Sequence, residues 1–134
     1  GQSREAGIIG IQKWKTQKVL YPHLDYKNSK FHIDHIYPKA KFTIKNKDLS
    51  PDFIEEKNYL FNLQLLEGAE NIGKKDADPN VWIIEHFGND INKIADYKSK
   101  NYIDACCTMQ WNDFKTFKEK RTEALRAALM LAFK

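Results

Sequence analysis

The amino-acid sequence predicts an α+β fold that is mainly helical and contains two short strands. Two segments, FHIDHI (residues 31–36) and YLFNLQLL (residues 59–66), have the composition of strands. Apolar residues recur at helical spacing over residues 110–133. The pairs Ser50-Pro51 and Asp78-Pro79 each place a capping residue before a proline, which indicates the start of a helix.

The predicted helices flank the two strands. The first covers residues 5–20 and ends before Tyr21-Pro22, because a residue that precedes proline is disfavoured in helical conformation. The helix that begins at Asp78-Pro79 is expected to end at Gly88-Asn89. A short helix over residues 90–98 and a long amphipathic helix over residues 110–133 complete the set, and the apolar stripe of the last helix is predicted to be core.

The two strands are separated by turn and linker residues. The first alternates apolar and polar side chains and stops at Pro38, because proline cannot continue a strand ladder. The second closes at Glu67-Gly68 and is followed by a polar helical turn or two over residues 69–79. We expect residues 1–134 to form one domain, and the absence of a methionine before Gly1 suggests a domain excised from a larger protein.

Composition excludes several classes of protein. Hydrophobic residues make up 42% of the chain, which argues against disorder, and no apolar run approaches the roughly 18–20 residues that span a bilayer. The 22 Lys and Arg residues exceed the 18 Asp and Glu residues by a net +4, a mild excess that is compatible with a polyanionic partner. The cysteines, Cys106 and Cys107, are adjacent and form no disulfide framework, so we expect a reducing, cytoplasmic setting.

Two neighbouring residues of the first strand carry useful chemistry. Asp34 offers carboxylate oxygens to a hard cation, and the imidazole of His35 can accept a proton near neutral pH. Side chains alternate along a strand, so His32 and Asp34 share one face while His35 lies on the other. Asp34 and His35 can therefore serve one site only if the strand bends or ends there, which Pro38 favours. Taken alone, the pair also fits a purely structural strand.

A second group of residues favours a site. Asn62 and Asn71 lie before and after the second strand, and asparagine carbonyls suit magnesium or calcium better than zinc. A strand, a returning strand and a helix can place Asp34 and Asn71 around one divalent ion. The alternative is structural zinc on His32 and His35. It would need two further ligands, and the candidates are His23, His86, Cys106 and Cys107. None of them has the spacing that is usual for a zinc finger.

The segment His32–Pro38 resembles the first half of the HNH, or ββα-metal (His-Me finger), nuclease motif. Asn62–Leu66 together with Asn71–Lys74 resembles its second half. The combination is similar to the C-terminal HNH domain of GmrSD-like modification-dependent restriction enzymes, and its signature half also resembles the HNH domain of RNA-guided CRISPR nucleases. The resemblance covers residues 31–42 and 58–82. It implies a ββα-metal core with a two-stranded antiparallel hairpin at about residues 30–80, surrounded by the helices at 5–20 and 80–133.

The resemblance also implies roles for single residues. Asp34 and Asn71 correspond to the metal ligands and His35 to the general base. Asn62 corresponds to the asparagine of the catalytic motif that holds the loop and the histidine in place. In the family, a second acidic residue or a histidine often precedes the aspartate–histidine pair. His32 stands at this position, and its role is open.

Four lysines near the two half-motifs are predicted to contact nucleic acid. They are Lys39, Lys41, Lys74 and Lys75. Lys74 stands where the family has a basic residue near phosphate. Ala40 stands where serine is more common in the family. This difference affects only a loop contact or a phosphate contact, and it does not affect the proposed metal ligands or general base.

We therefore expect a metal-dependent endonuclease that hydrolyses DNA phosphodiester bonds. Its cofactor would be Mg²⁺, with Mn²⁺ or another divalent ion as a substitute. The resemblance implies a prokaryotic restriction or phage-defence system, with an NTPase or specificity domain in the same polypeptide or complex, and no membrane. The alternatives are an inactive nucleic-acid-binding module on an HNH scaffold and a structural interaction domain.

Overall fold

The computed structural model describes residues 13–133 and has an α+β architecture that is mainly helical, as predicted. Two strands, β1 (Phe31–His35) and β2 (Leu63–Glu67), form an antiparallel sheet. The register pairs Phe31 with Glu67 at one end and His35 with Leu63 at the other. The end of β1 therefore lies beside the start of β2.

The α-helices of the described residues surround this sheet. They are α1 (residues 13–20), α2 (Gly68–Lys74), α3 (Pro79–Phe87), α4 (Ile91–Lys100) and α5 (Phe114–Ala132). Short 3-10 turns occupy Lys39–Lys41, Pro51–Glu56, Leu60–Asn62 and Trp111–Asp113. Within residues 13–133, no helix combines the length and the apolar character needed to cross a membrane.

Most of the predicted helices are confirmed, with shifted boundaries. α3 begins at Pro79 after Asp78, and it ends at Gly88, whose φ of 67° suits glycine. Residues 13–20 of the first predicted helix are helical, and residues 5–12 lie outside the described part of the chain. The helix predicted from Ser50-Pro51 was wrong in type, because Pro51–Glu56 forms a 3-10 helix.

The second strand is shorter than predicted because of a buried arginine in α5. Arg121 is 1% exposed, and its Nη1 donates to the backbone oxygens of Leu60, Phe61 and Leu63 at 3.2, 2.6 and 2.8 Å. Its Nε donates to the Asn101 backbone oxygen at 3.0 Å. These bonds turn the carbonyls toward α5, so the chain forms a 3-10 turn and enters the sheet only at Leu63.

The main core lies directly beyond the end of β1. Ile36 and Tyr37 are both fully buried. The Tyr37 ring packs against Trp111, Phe114 and Phe117 with centroid distances of 4.9, 5.0 and 5.0 Å. Aromatic pairs at these separations are worth about 0.5–1.5 kcal/mol beyond their buried area. The segment that carries Asp34 and His35 is thus anchored through Tyr37 to α5 and to the 3-10 turn before it.

Candidate active site

Asp34 and His35 are the last two residues of β1, and their side chains have different partners. Asp34 points toward α2, where it meets Lys74. His35 points to the opposite face and contacts Asn58 in the loop before β2. This is the alternation that the sequence predicts for consecutive strand residues. The two groups lie at the point where the chain leaves the sheet, as the position of Pro38 suggested.

Hydrogen bonds hold the Asp34 carboxylate in one orientation. Its Oδ2 accepts from Gln64 Nε2 at 3.1 Å and from Lys74 Nζ at 3.2 Å. Gln64 is in turn fixed, because its Oε1 accepts a 2.6 Å bond from the buried Tyr97 hydroxyl. Both contacts of the carboxylate fall on Oδ2, and no donor of the described residues is bonded to Oδ1. One oxygen is therefore available to a cation, which fits the role of a divalent-metal ligand.

Lys74 joins α2 to the end of β1. Its ammonium donates to the backbone oxygens of His35 at 2.7 Å and Ile36 at 3.2 Å, in addition to Asp34. The side chain is 1% exposed. Burial lowers the pKa of Lys74, and the charge of Asp34 opposes that shift. The lysine predicted to contact phosphate is thus buried and bonded to acceptors of the protein itself. It is therefore not one of the proposed DNA contacts.

Asn71 lies in α2 between Gly68 and Lys74, two residues that approach β1. A Cβ atom built on Gly68 would lie 3.5 Å from His32 Nε2, and Lys74 reaches Asp34. Both ends of this helix face are therefore next to β1. Asn71 lies midway between them, and residues three apart on a helix share a face. The half-buried Asn71 and the Asp34 carboxylate are hard oxygen donors on facing elements, a donor set that suits magnesium.

Asn62 links the two backbone segments that carry the site. It is fully buried; its Oδ1 accepts from the Tyr37 N–H at 2.9 Å, and its Nδ2 donates to the Tyr37 and Lys57 oxygens at 3.0 and 2.9 Å. Its own carbonyl accepts from the Ile36 N–H at 2.8 Å. Every polar group of the side chain is satisfied, so replacing it would leave buried backbone groups without partners. These contacts join the Lys57 and Tyr37 backbones, and the role in holding the histidine that the resemblance implies for Asn62 stays a prediction.

The surroundings of the site present three of the predicted lysines. Lys39 and Lys75 are exposed, and Lys41 forms a 2.7 Å ion pair with Asp78 while its side chain stays 44% exposed. His32 is exposed on the same face of β1 as Asp34. These positions leave three ammonium groups near the motif in contact with solvent.

The zinc alternative has no assembled ligand set. All four histidines and both cysteines lie within residues 13–133. In that part of the chain, no group of three or more His, Cys, Asp or Glu side chains is arranged to hold a metal ion. A structural zinc site uses four such ligands. His86 instead forms a 3.0 Å pair with Glu70 and stacks on Trp82.

Sequence reasoning missed two residues that contact the site, Gln64 and Asn58, and predicted a different role for a third, Lys74. Gln64 is a polar residue inside the apolar segment LQLL, and this interruption was the available signal. Lys74 was noticed, but nothing in the sequence showed that its ammonium is buried. Asn58 gave no signal, because its contact with His35 depends on how the loop before β2 is folded.

Comparison with known proteins adds no family assignment. No protein-family model matches the chain, and a search of curated proteins finds no match. The roles assigned to the site residues therefore rest on the motif and on the contacts described above.

Proposed function

We propose that this protein is a metal-dependent endonuclease that hydrolyses DNA phosphodiester bonds, built on a ββα-metal core formed by β1, β2 and α2. The observation that carries the proposal is the succession of Asp34 and His35 at the end of β1, where the chain leaves the sheet. Each side chain has its own fixed partner, and the backbone beyond them is held by Asn62. A carboxylate and an imidazole on consecutive residues supply the two kinds of group that phosphodiester hydrolysis requires.

Each residue has a distinct part in the proposed reaction. His35 accepts a proton from the attacking water, a contribution of about 10²–10⁴-fold for a positioned general base. Asp34 and Asn71 would hold a divalent ion, magnesium by the chemistry of their oxygen donors. When bound, such an ion polarises the phosphate and stabilises charge on the departing oxygen. Lys74 and Gln64 keep the Asp34 carboxylate in place through Oδ2.

DNA contacts are assigned to the exposed lysines around the motif. Lys39 and Lys75 are exposed, and Lys41 is half-exposed with its ammonium paired to Asp78 at 2.7 Å. Ammonium groups of this kind contact phosphate oxygens without reading sequence. We therefore propose binding that is weakly sequence-specific and that falls steeply with salt. Specificity would come from an NTPase or recognition domain elsewhere in a larger prokaryotic defence protein or complex.

A plasmid-nicking assay tests the proposal. Supercoiled DNA is incubated with the protein and Mg²⁺ or Mn²⁺, and wild type is compared with His35→Ala. We expect the variant to lose activity by about 10²–10⁴-fold, because the general base is removed. DNA binding, measured by fluorescence anisotropy, should survive, since His35 contributes no phosphate contact. His23→Ala is the matched control, because His23 is an exposed histidine in the turn after α1.

Other outcomes of the assay would contradict the proposal in distinct ways. DNA binding without cleavage under either ion would favour an inactive binding module. Neither binding nor cleavage would favour a structural interaction domain. Cleavage that survives His35→Ala would remove His35 from the reaction and overturn its assignment as the base.

A further inference from the structure

The contact between His35 and Asn58 favours one tautomer of the imidazole. Asn58 Oδ1 lies 2.7 Å from His35 Nε2. An amide oxygen only accepts hydrogen bonds, so Nε2 must be the donor. In the neutral imidazole, the other nitrogen, Nδ1, then has the lone pair.

The chain directly before Asn58 is anchored, while the Asn58 side chain itself is exposed. Lys57, directly before it, has its carbonyl bonded to Asn62 Nδ2 at 2.9 Å. Glu56, at the end of the preceding 3-10 helix, forms an ion pair with Lys118 of α5. Asn62 also fixes the segment that follows His35, through Tyr37. The imidazole and its amide partner are therefore attached to one buried side chain, which limits their relative movement.

We propose that Asn58 is a positioning residue that orients the imidazole of His35 and selects its Nε2–H tautomer, so that Nδ1 is the nitrogen that accepts the proton from water. This inference rests on the proposed function of His35 as a general base. Asn58 itself takes no proton and acts only through the histidine. A base with the wrong tautomer presents an N–H where a lone pair is needed, which makes the orienting partner of a catalytic histidine important.

The tautomer can be measured directly by NMR. Protein labelled with ¹⁵N at histidine is studied in alkaline buffer, where imidazoles are neutral. Long-range ¹H–¹⁵N spectra distinguish the two tautomers, and the His35→Ala spectrum identifies the His35 signals. We expect the Nε2–H form in wild type, a mixture of tautomers in Asn58→Ala, and recovery of the Nε2–H form in Asn58→Asp. The aspartate keeps an oxygen acceptor at the same distance from the backbone.

Cleavage kinetics provide the second readout. We expect Asn58→Ala to lower kcat by about 10–100-fold, the range typical when the hydrogen-bond partner of a functional imidazole is removed. KM should change little, because Asn58 acts on the reacting group and not on substrate binding. Asn58→Asp should recover most of the rate. Asn28→Ala is the matched control, since Asn28 is an exposed asparagine whose amide bonds only to Asp25 among the described residues.

The outcomes separate this inference from the proposed function. An Nδ1–H tautomer in wild type, or a tautomer that is unchanged in Asn58→Ala, overturns the role of Asn58 even if the protein cleaves DNA. If the tautomer of His35 depends on Asn58 but the protein has no nuclease activity, the orienting role is supported and the proposed function is wrong. An effect of Asn28→Ala equal to that of Asn58→Ala would also contradict the inference.

Discussion

Lys74 and Arg121 are both buried cations that reach backbone carbonyls, and they differ in what else they meet. Lys74 in α2 binds one carboxylate, that of Asp34, and two carbonyl oxygens at the end of β1. Arg121 in α5 has carbonyl oxygens as its hydrogen-bond acceptors, two of them in the turn before β2 and one at Leu63, the first residue of β2. One cation therefore completes an electrostatic pair at the candidate site, while the other fixes backbone shape behind it.

The comparison teaches that the candidate site is held from two sides by different means. Lys74 acts on Asp34 and the neighbouring carbonyls directly. Arg121 acts through the turn at Leu60–Asn62, which places Asn62 against Tyr37. Removing Arg121 should therefore damage the fold, whereas removing Lys74 should mainly disturb the carboxylate.

The largest expected effect is that of Arg121→Met. We expect the free energy of unfolding to fall by about 3–5 kcal/mol, because several buried carbonyl oxygens lose their donor at once and each costs about 1–3 kcal/mol. Urea denaturation followed by circular dichroism measures the change. Arg126→Met, an exposed position on the same helix, is the control and should stay within about 0.5 kcal/mol of wild type. A loss below about 1 kcal/mol for Arg121→Met would show that the carbonyls find other partners.

Lys74→Met should have a smaller effect on stability. We expect a loss of about 1–3 kcal/mol, because the nearly buried Asp34 carboxylate keeps only Gln64 as a described donor. Combining it with Asp34→Asn forms a double-mutant cycle, and the two changes should couple by about 0.5–3 kcal/mol. Lys75→Met, the exposed neighbour, is the control. Additive losses in the cycle would mean that the ion pair contributes nothing to folding.

The smallest expected effect is a dependence of stability on pH that is caused by Lys74. Burial lowers the pKa of Lys74 from 10.5, so the folded protein releases this proton at a lower pH than the unfolded chain. The cost of burying the ammonium is complete below the folded-state pKa and is relieved as pH rises toward 10.5. The stability of wild type relative to Lys74→Met should therefore increase over this range. Denaturant midpoints of wild type and Lys74→Met between pH 8 and about 10.5 test this, and a difference in stability that does not change with pH would contradict it.

The sequence predicted the elements that depend on local signals. α3 starts and ends near Asp78-Pro79 and Gly88 because capping and backbone preference act within a few residues. The start of β2 could not be predicted, since Arg121 determines it from α5, far along the chain. Pro51–Glu56 carried a helix-start signal, but it forms only a 3-10 helix.

The candidate site also combines features that local sequence signals predict with features that tertiary contacts determine. Alternation along β1 correctly placed Asp34 and His35 on opposite faces, because the period of a strand is a local property. The partners of these two residues depend on tertiary contacts. Lys74 and Asn58 approach them only after α2 and the loop before β2 have packed. Neither residue type indicated its contact. Lysine is usually exposed, whereas Lys74 is buried, and Asn58 is an exposed asparagine.

Asn62 and Tyr37 are 25 residues apart in the sequence, and their paired hydrogen bonds close the intervening chain into a loop. They act as a non-covalent crosslink in which one amide side chain takes the place of a disulfide. Because loop-closure entropy grows slowly, doubling the length of such a loop costs only about 0.6 kcal/mol. The largely exposed stretch at residues 43–48 is thus a place where the chain can gain or lose residues while Asp34 and His35 keep their positions.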